Sequence, residues 1–157
     1  MHPHTYCSVY VLYLDVCVSS LVFGKFCDWC LWQSYSKFPP FCHHLAFSCH
    51  KVFNCFGKYF CLHFEAFNLG TAPVYMAFLQ FMGEADEASR FHYSLEVGGS
   101  GRRQVWQGVS RSIRDTHQSV RDSVDGLLVP RGLALLFSGG DCKELKLRVM
   151  GRIWKEH

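Results

Sequence analysis

The sequence predicts an all-β fold, an antiparallel β-sandwich with one short helix, preceded by an irregular segment. Three observations predict it. Apolar and polar residues alternate with a period of two in several runs after residue 51, glycine-rich turns separate those runs, and only one stretch shows helical spacing. At 157 residues the chain has room for one domain of ordinary size plus an appendage, so a core can form without disulfides or metal.

The first stretch to justify is the irregular one. Asp15, Lys25, Asp28, Lys37 and Lys51 are the only charged residues up to position 51, and the many others all follow. Up to Lys51 the sequence is rich in cysteine and aromatic residues but holds no sustained period of two or of about 3.6, so it presents no face for a strand or helix to bury. Residues 1–51 therefore read as an unrelated, irregular segment, and 52–157 as the domain. Within the segment, Tyr6 to Gly24 approaches membrane-spanning length, but Asp15 interrupts it. A mid-span Asp costs about 2.5–3.5 kcal/mol on insertion, which disfavours a membrane anchor.

The domain's elements follow in order. "KYFCLHFEAF" puts Phe60, Leu62 and Phe64 on one face of a strand, and "PVYMAFLQFM" is apolar on both faces, as a central strand is. "RFHYSLEVGG" sends Phe91, Tyr93, Leu95 and Val97 inward and His92, Ser94 and Glu96 outward. "RRQVWQG" and "DGLLV" read as two shorter strands. "KELKLRVMGRIW" closes the set with Leu145, Leu147 and Val149 inward. Gly98-Gly99-Ser100-Gly101, Asp125-Gly126 and Ser138-Gly139-Gly140-Asp141 supply the residues that tolerate positive φ in turns. The one expected helix is "SIRDTHQSVRDS", with Ile113, His117 and Val120 on one side.

Composition narrows the function classes. A formal net charge of +3, dispersed along the chain, gives no footprint for nucleic acid. Nine cysteines is an odd count, and the first residues lack a basic signal-peptide region, so the thiols read as reduced and the protein as cytoplasmic or nuclear.

The chemical motifs are weak. Cys27 and Cys30 form a C-x2-C, followed by His43 and Cys49, ligand types and spacings that a tetrahedral zinc site accepts. Pro39-Pro40 nevertheless stands where a finger's helix should run, and Ser34 and Pro40 hold its expected core positions. "GGSGRR" has Arg102 where a nucleophile elbow needs Gly and joins two strands, so it reads as a hairpin turn. Asp115, Asp122 and Asp125 with His117 lack a convergent nucleophile. They read as a solvated helix face partnered by Arg111, Arg114 and Arg121. Cys55 and Cys61 read as small buried hydrophobes, and His63 and His92 as outward strand positions without a special role. No catalytic, cofactor-binding or metal-ligating residue is assigned from these patterns.

"VFNCFGKYFCLHFEAF", "APVYMAFLQFMGEADEA", "YSLEVGG", "RSIRDTHQSVRDS", "FSGGD" and "KELKLRVMGRIWKE" together closely resemble the C-terminal substrate-binding domain of plant seven-in-absentia E3 ubiquitin ligases, from about Val52 onward. The resemblance implies a TRAF-like antiparallel sandwich that dimerises, with itself or with full-length relatives. It also implies binding of substrate or adaptor proteins through a β-edge groove, where a peptide adds as a strand. Ligase activity in that family lies in a RING domain followed by zinc fingers, and the Cys/His spacings before Lys51 match neither, so the chain itself is expected to need no cofactor. Family members begin the sandwich with strands upstream of "VFNCFG", which makes this one a sandwich truncated at its N-terminal strands. Its early edge is then left for residues 1–51 to cover, and no peptide-contacting residue is carried over. Two alternatives stand beside a binding and dimerisation module: an E3 ligase active through an atypical N-terminal zinc site, and a binding domain anchored in a membrane by Tyr6 to Gly24.

Overall fold

A computed structural model of the chain describes residues 10–19, 47–139 and 144–156. They form two stacked antiparallel sheets. One has the strand order β1-β9-β5-β6, from β1 (Tyr10–Ser19), β9 (Glu144–Lys155), β5 (Phe91–Gly99) and β6 (Arg102–Val109). The other has the order β2-β3-β4-β7, from β2 (Phe47–Cys55), β3 (Lys58–Leu69), β4 (Ala72–Phe81) and β7 (Arg111–Ser112), with β8 (Leu127–Pro130) also on β4. β7 is the exception to the antiparallel rule, running parallel to the end of β4.

The alternations end where burial requires. Phe60, Leu62, Phe64 and Ala66 of β3 meet Phe91, Tyr93, Leu95 and Val97 of β5 and Leu145, Leu147 and Val149 of β9 in one core between the sheets. Phe60, Phe81 and Phe91 form its densest part, with ring centroids 5.1–5.3 Å apart. At that spacing each ring sets an edge or an offset face against its neighbours, which stabilises the cluster beyond area burial alone. β4 is apolar on both faces because both are covered: Tyr75, Ala77, Leu79 and Phe81 face the main core, while Met76 and Phe78 pack with Val120 in a second, smaller cluster.

The turns obey the expected chemistry. Ser100 and Gly101 join β5 to β6 with φ of 54° and 75°, the doubly left-handed pattern of a type I′ hairpin whose twist matches its strands. Phe56 and Gly57 do the same between β2 and β3, at 55° and 69°.

Two expectations require correction. The stretch before Val52 is not wholly irregular: β1 pairs with β9 along its full length, and β2 runs across the Lys51–Val52 junction in continuous register with β3. A strand added at a sheet edge gains its ladder from the neighbour, so weak internal patterning did not prevent it. Residues 10–19 of the candidate membrane stretch lie in β1. No helix among the described residues is long and apolar enough to cross a membrane.

Among the described residues the single helix becomes three short ones: α1 (Ala85–Ala88), α2 (His117–Asp122) and α3 (Arg131–Phe137). α2 is shorter than the pattern predicted because Thr116, in extended conformation, caps it by accepting the Ser119 N–H at 3.1 Å. Ile113 lies before the helix and is 40% exposed. α3 escaped notice because "RGLALLF" is nearly all apolar. Ala134 and Phe137 are its buried contacts, and Pro130 stands at its N-cap.

Candidate functional site

Helix α2 lies over the outer face of β3 and β4 and creates an environment that strand alternation does not foretell. Glu65, on the face of β3 away from the main core, is the one buried charged residue among the described residues. Its Oε1 sits 2.7 Å from His117 Nδ1, and Arg121 lies 3.7 Å from Oε2, an electrostatic rather than a hydrogen-bonding distance. Arg121 also covers the Phe67 ring at 5.2 Å. Gln80 of β4, fully buried, donates to the Asp115 carbonyl at 2.8 Å and the Ser112 carbonyl at 3.3 Å, fixing the loop that leads into α2.

His63 belongs to this layer. It stacks on Phe78 with centroids 4.8 Å apart and runs nearly parallel to His117 at 6.4 Å. Burial holds its pKa down to about 4, the positive charges that His50 and His117 can carry reinforce the shift, and a Gln80 hydrogen bond opposes it. His63 is thus half-buried and neutral, not a plain outward position.

A carboxylate orienting an imidazole is two thirds of a hydrolytic triad, and among the described residues no third member joins it. None of the described serines, threonines or cysteines hydrogen-bonds the His117 ring, whose Nδ1 faces Glu65. Asp115 and Asp125 instead both face Arg111, at 3.0 and 3.5 Å, as the solvated-face reading expected for that arginine. Arg114 reaches Glu84 of the α1 region and Arg121 reaches Glu65, so those two partners lie outside the helix. Cys55 and Cys61 are buried cysteines outside any disulfide, and burial pushes the Cys55 pKa up, away from a reactive thiolate. The Glu65–His117–Arg121 group therefore acts as a tether holding α2 to the sheet. Sequence reasoning missed it because it joins residues 52 apart in the chain. Its one local sign was a Glu at an outward position inside an otherwise apolar strand.

Of the proposed metal ligands, Cys27, Cys30 and His43 lie outside the described residues, and Cys49 lies in β2. Among the described residues no group of three or more potential ligands converges on a cation.

What the fold offers to a partner is sheet edge. No strand among the described residues pairs with the outer edges of β2 and β6. β2, "FSCHKVFNC", pairs with β3 and forms the outer strand of its sheet among the described residues. Its central Lys51 and Val52 are both exposed, Val52 at 48%. A charged residue on an edge discourages indiscriminate pairing without closing the edge to a matched strand.

Comparison with known proteins bears on what such edges are for. The family model described as "Sina, TRAF-like domain" matches residues 53–150. The chain is 71% identical over 105 residues to the E3 ubiquitin-protein ligase SINAT5 of Arabidopsis thaliana, covering 67% of this chain and 34% of that protein. It is 70% identical over 105 residues to the E3 ubiquitin-protein ligase DIS1 of Oryza sativa subsp. japonica, covering 67% and 35%. With the probable inactive E3 ubiquitin-protein ligase SINAT6 of Arabidopsis thaliana it shares 54% identity over 121 residues, covering 75% of this chain and 56% of that protein. The chain thus spans about a third of the length of the first two relatives. The 75% coverage is more than residues 52–157 can supply, so likeness to the third continues into the segment before Val52.

Proposed function

Since the chain belongs to the Sina, TRAF-like domain family, we propose that it serves ubiquitin-dependent protein degradation as a substrate-binding and dimerisation module and leaves ubiquitin transfer to its longer relatives. The observation that carries the proposal is the pairing of family membership with sheet edges that no described strand covers, which supply backbone donors and acceptors for a captured segment. The described chemistry agrees with a binding role: buried thiols, arginines paired to carboxylates, and an imidazole that tethers a helix. In this reading the chain dimerises with itself or with a full-length family member, and in the mixed dimer it alters which substrates reach the ligase. SINAT6, a probable inactive ligase whose likeness to this chain extends before Val52, provides a precedent for a family member that does not transfer ubiquitin itself.

Two measurements test this. Purified chain mixed with a full-length relative should form a mixed species in size-exclusion chromatography and change substrate ubiquitination by that ligase; failure of the two to associate refutes the module role. Incubated with E1, E2, ubiquitin and ATP alone, the chain should give no ubiquitin conjugates, and robust conjugates would transfer the reading to the ligase alternative.

A further inference from the structure

The edge of β6 is built differently from that of β2. Ser110 N–H donates to the Phe91 carbonyl at 2.9 Å, which makes Phe91 and Ser110 a hydrogen-bonded pair of the β5–β6 ladder. Bonded and non-bonded pairs alternate along an antiparallel ladder, so Gly108, Trp106 and Gln104 are the β6 residues that bond β5. Arg103, Val105, Gln107 and Val109 consequently aim their N–H and C=O groups away from β5, where no strand among the described residues receives them.

The side chains of the same four residues stand on the outer face of the sheet. Val105 and Val109 are 52% and 41% exposed, and Arg103 is 72% exposed. The usual edge protections are absent: β6 is eight residues long, keeps continuous register with β5, and contains no proline. Its two charges, Arg102 and Arg103, both lie at the hairpin end, leaving valine and glutamine along the rest. Arg103 has partial compensation from Glu96 at 3.8 Å. Arg152, on the same face in the row of Ser94 and Gln107, forms no ion pair among the described residues.

We infer that β6 is a second docking edge, which takes up an extended segment of a partner protein with apolar residues opposite Val105 and Val109 and an acidic residue opposite Arg103. The inference rests on the chain being a protein-binding module and requires no link to ubiquitin. Backbone pairing with the four outward residues holds the segment, the valines accept its apolar side chains at two-residue spacing, and the arginine end fixes its direction. Charge complementarity favours a partner with an acidic end over a second copy of this chain, whose β6 carries no carboxylate to meet Arg103 in either orientation.

The test uses the full chain and a fluorescein-labelled synthetic peptide as long as β6, with valines at alternate positions and paired glutamates at one end, followed by fluorescence anisotropy. Gln107→Pro deletes one outward N–H and none that bonds β5, a position where an edge strand tolerates proline. It should weaken binding about tenfold while the unfolding curve stays in place. Arg103→Glu should lower affinity for the glutamate-ended peptide and raise it for a lysine-ended one, and added salt should weaken wild-type binding. Peptide affinity unchanged by both variants, no binding by wild type, or concentration-dependent self-association abolished by Gln107→Pro would each overturn the inference. If the peptide fails but association with full-length relatives persists, only the β6 edge is refuted; if the relatives fail but the peptide binds, only the ubiquitin-linked role is.

Discussion

The tether beneath α2 makes a quantitative prediction. Arg121→Met removes a guanidinium that is 20% exposed from beside a Glu65 carboxylate that is 2% exposed. Breaking a buried pair by deleting one partner costs about 3–5 kcal/mol, because the remaining charge stays desolvated. Here the 3.7 Å separation and the surviving His117 contact bring that to about 2 kcal/mol. Loss of the cation over Phe67 adds roughly 0.5–1 kcal/mol. The total of about 3 kcal/mol corresponds to a Tm lowered by roughly 6–12 °C for a chain of this size. Glu65→Leu alone leaves an arginine that can turn to solvent, and should cost about 1 kcal/mol. The double variant no longer buries an unpaired charge and should be about 2 kcal/mol more stable than the sum of the singles predicts. Urea unfolding followed by tryptophan fluorescence, with Trp106 and Trp154 both partly buried reporters, measures all four proteins. A coupling below about 0.5 kcal/mol would refute the tether.

Other expectations rest on equally local geometry. With its folded pKa near 4 against 6.5 for the free side chain, His63 refuses a proton that the unfolded chain accepts. Stability should therefore fall as pH drops from about 6.5 toward 4, by at most about 3 kcal/mol, and His63→Gln should flatten that slope in denaturation curves taken across the range. A Cβ on Gly99 would lie 2.0 Å from the Phe137 carbonyl oxygen, so Gly99→Ala must displace α3 and should cost about 2 kcal/mol or more in the same unfolding assay. Gly101 has open space around it but a φ of 75°, and Gly101→Ala should cost only the left-handed penalty of about 1 kcal/mol. Equal losses at the two glycines would contradict the steric account.

Much of this fold is legible in the sequence. Strands β3, β4, β5, β6, β8 and β9 fall where alternation put them, and the inward sets from Phe60 to Val149 are the buried ones, because in a strand a side chain's face is decided by its own position and that of its immediate neighbours. The glycine-bearing hairpin at Ser100-Gly101 was likewise written locally, in residues that accept positive φ. α2 was legible as a helix but not in extent, since its start is fixed by one cap at Thr116.

Covering was not legible. His63 reads as an outward-facing residue and Glu65 shares its face, but α2 packs over that face from more than fifty residues downstream and buries the carboxylate. β1 and β2 show the same limit from the other side. The sequence around them holds no sustained alternation, and they become strands by completing ladders beside β9 and β3. The sequence by itself determined which side chains each strand presents to the core. The tertiary structure decided what lies over the opposite faces and which edges stay open, because those depend on distant segments meeting and no short-range period encodes them.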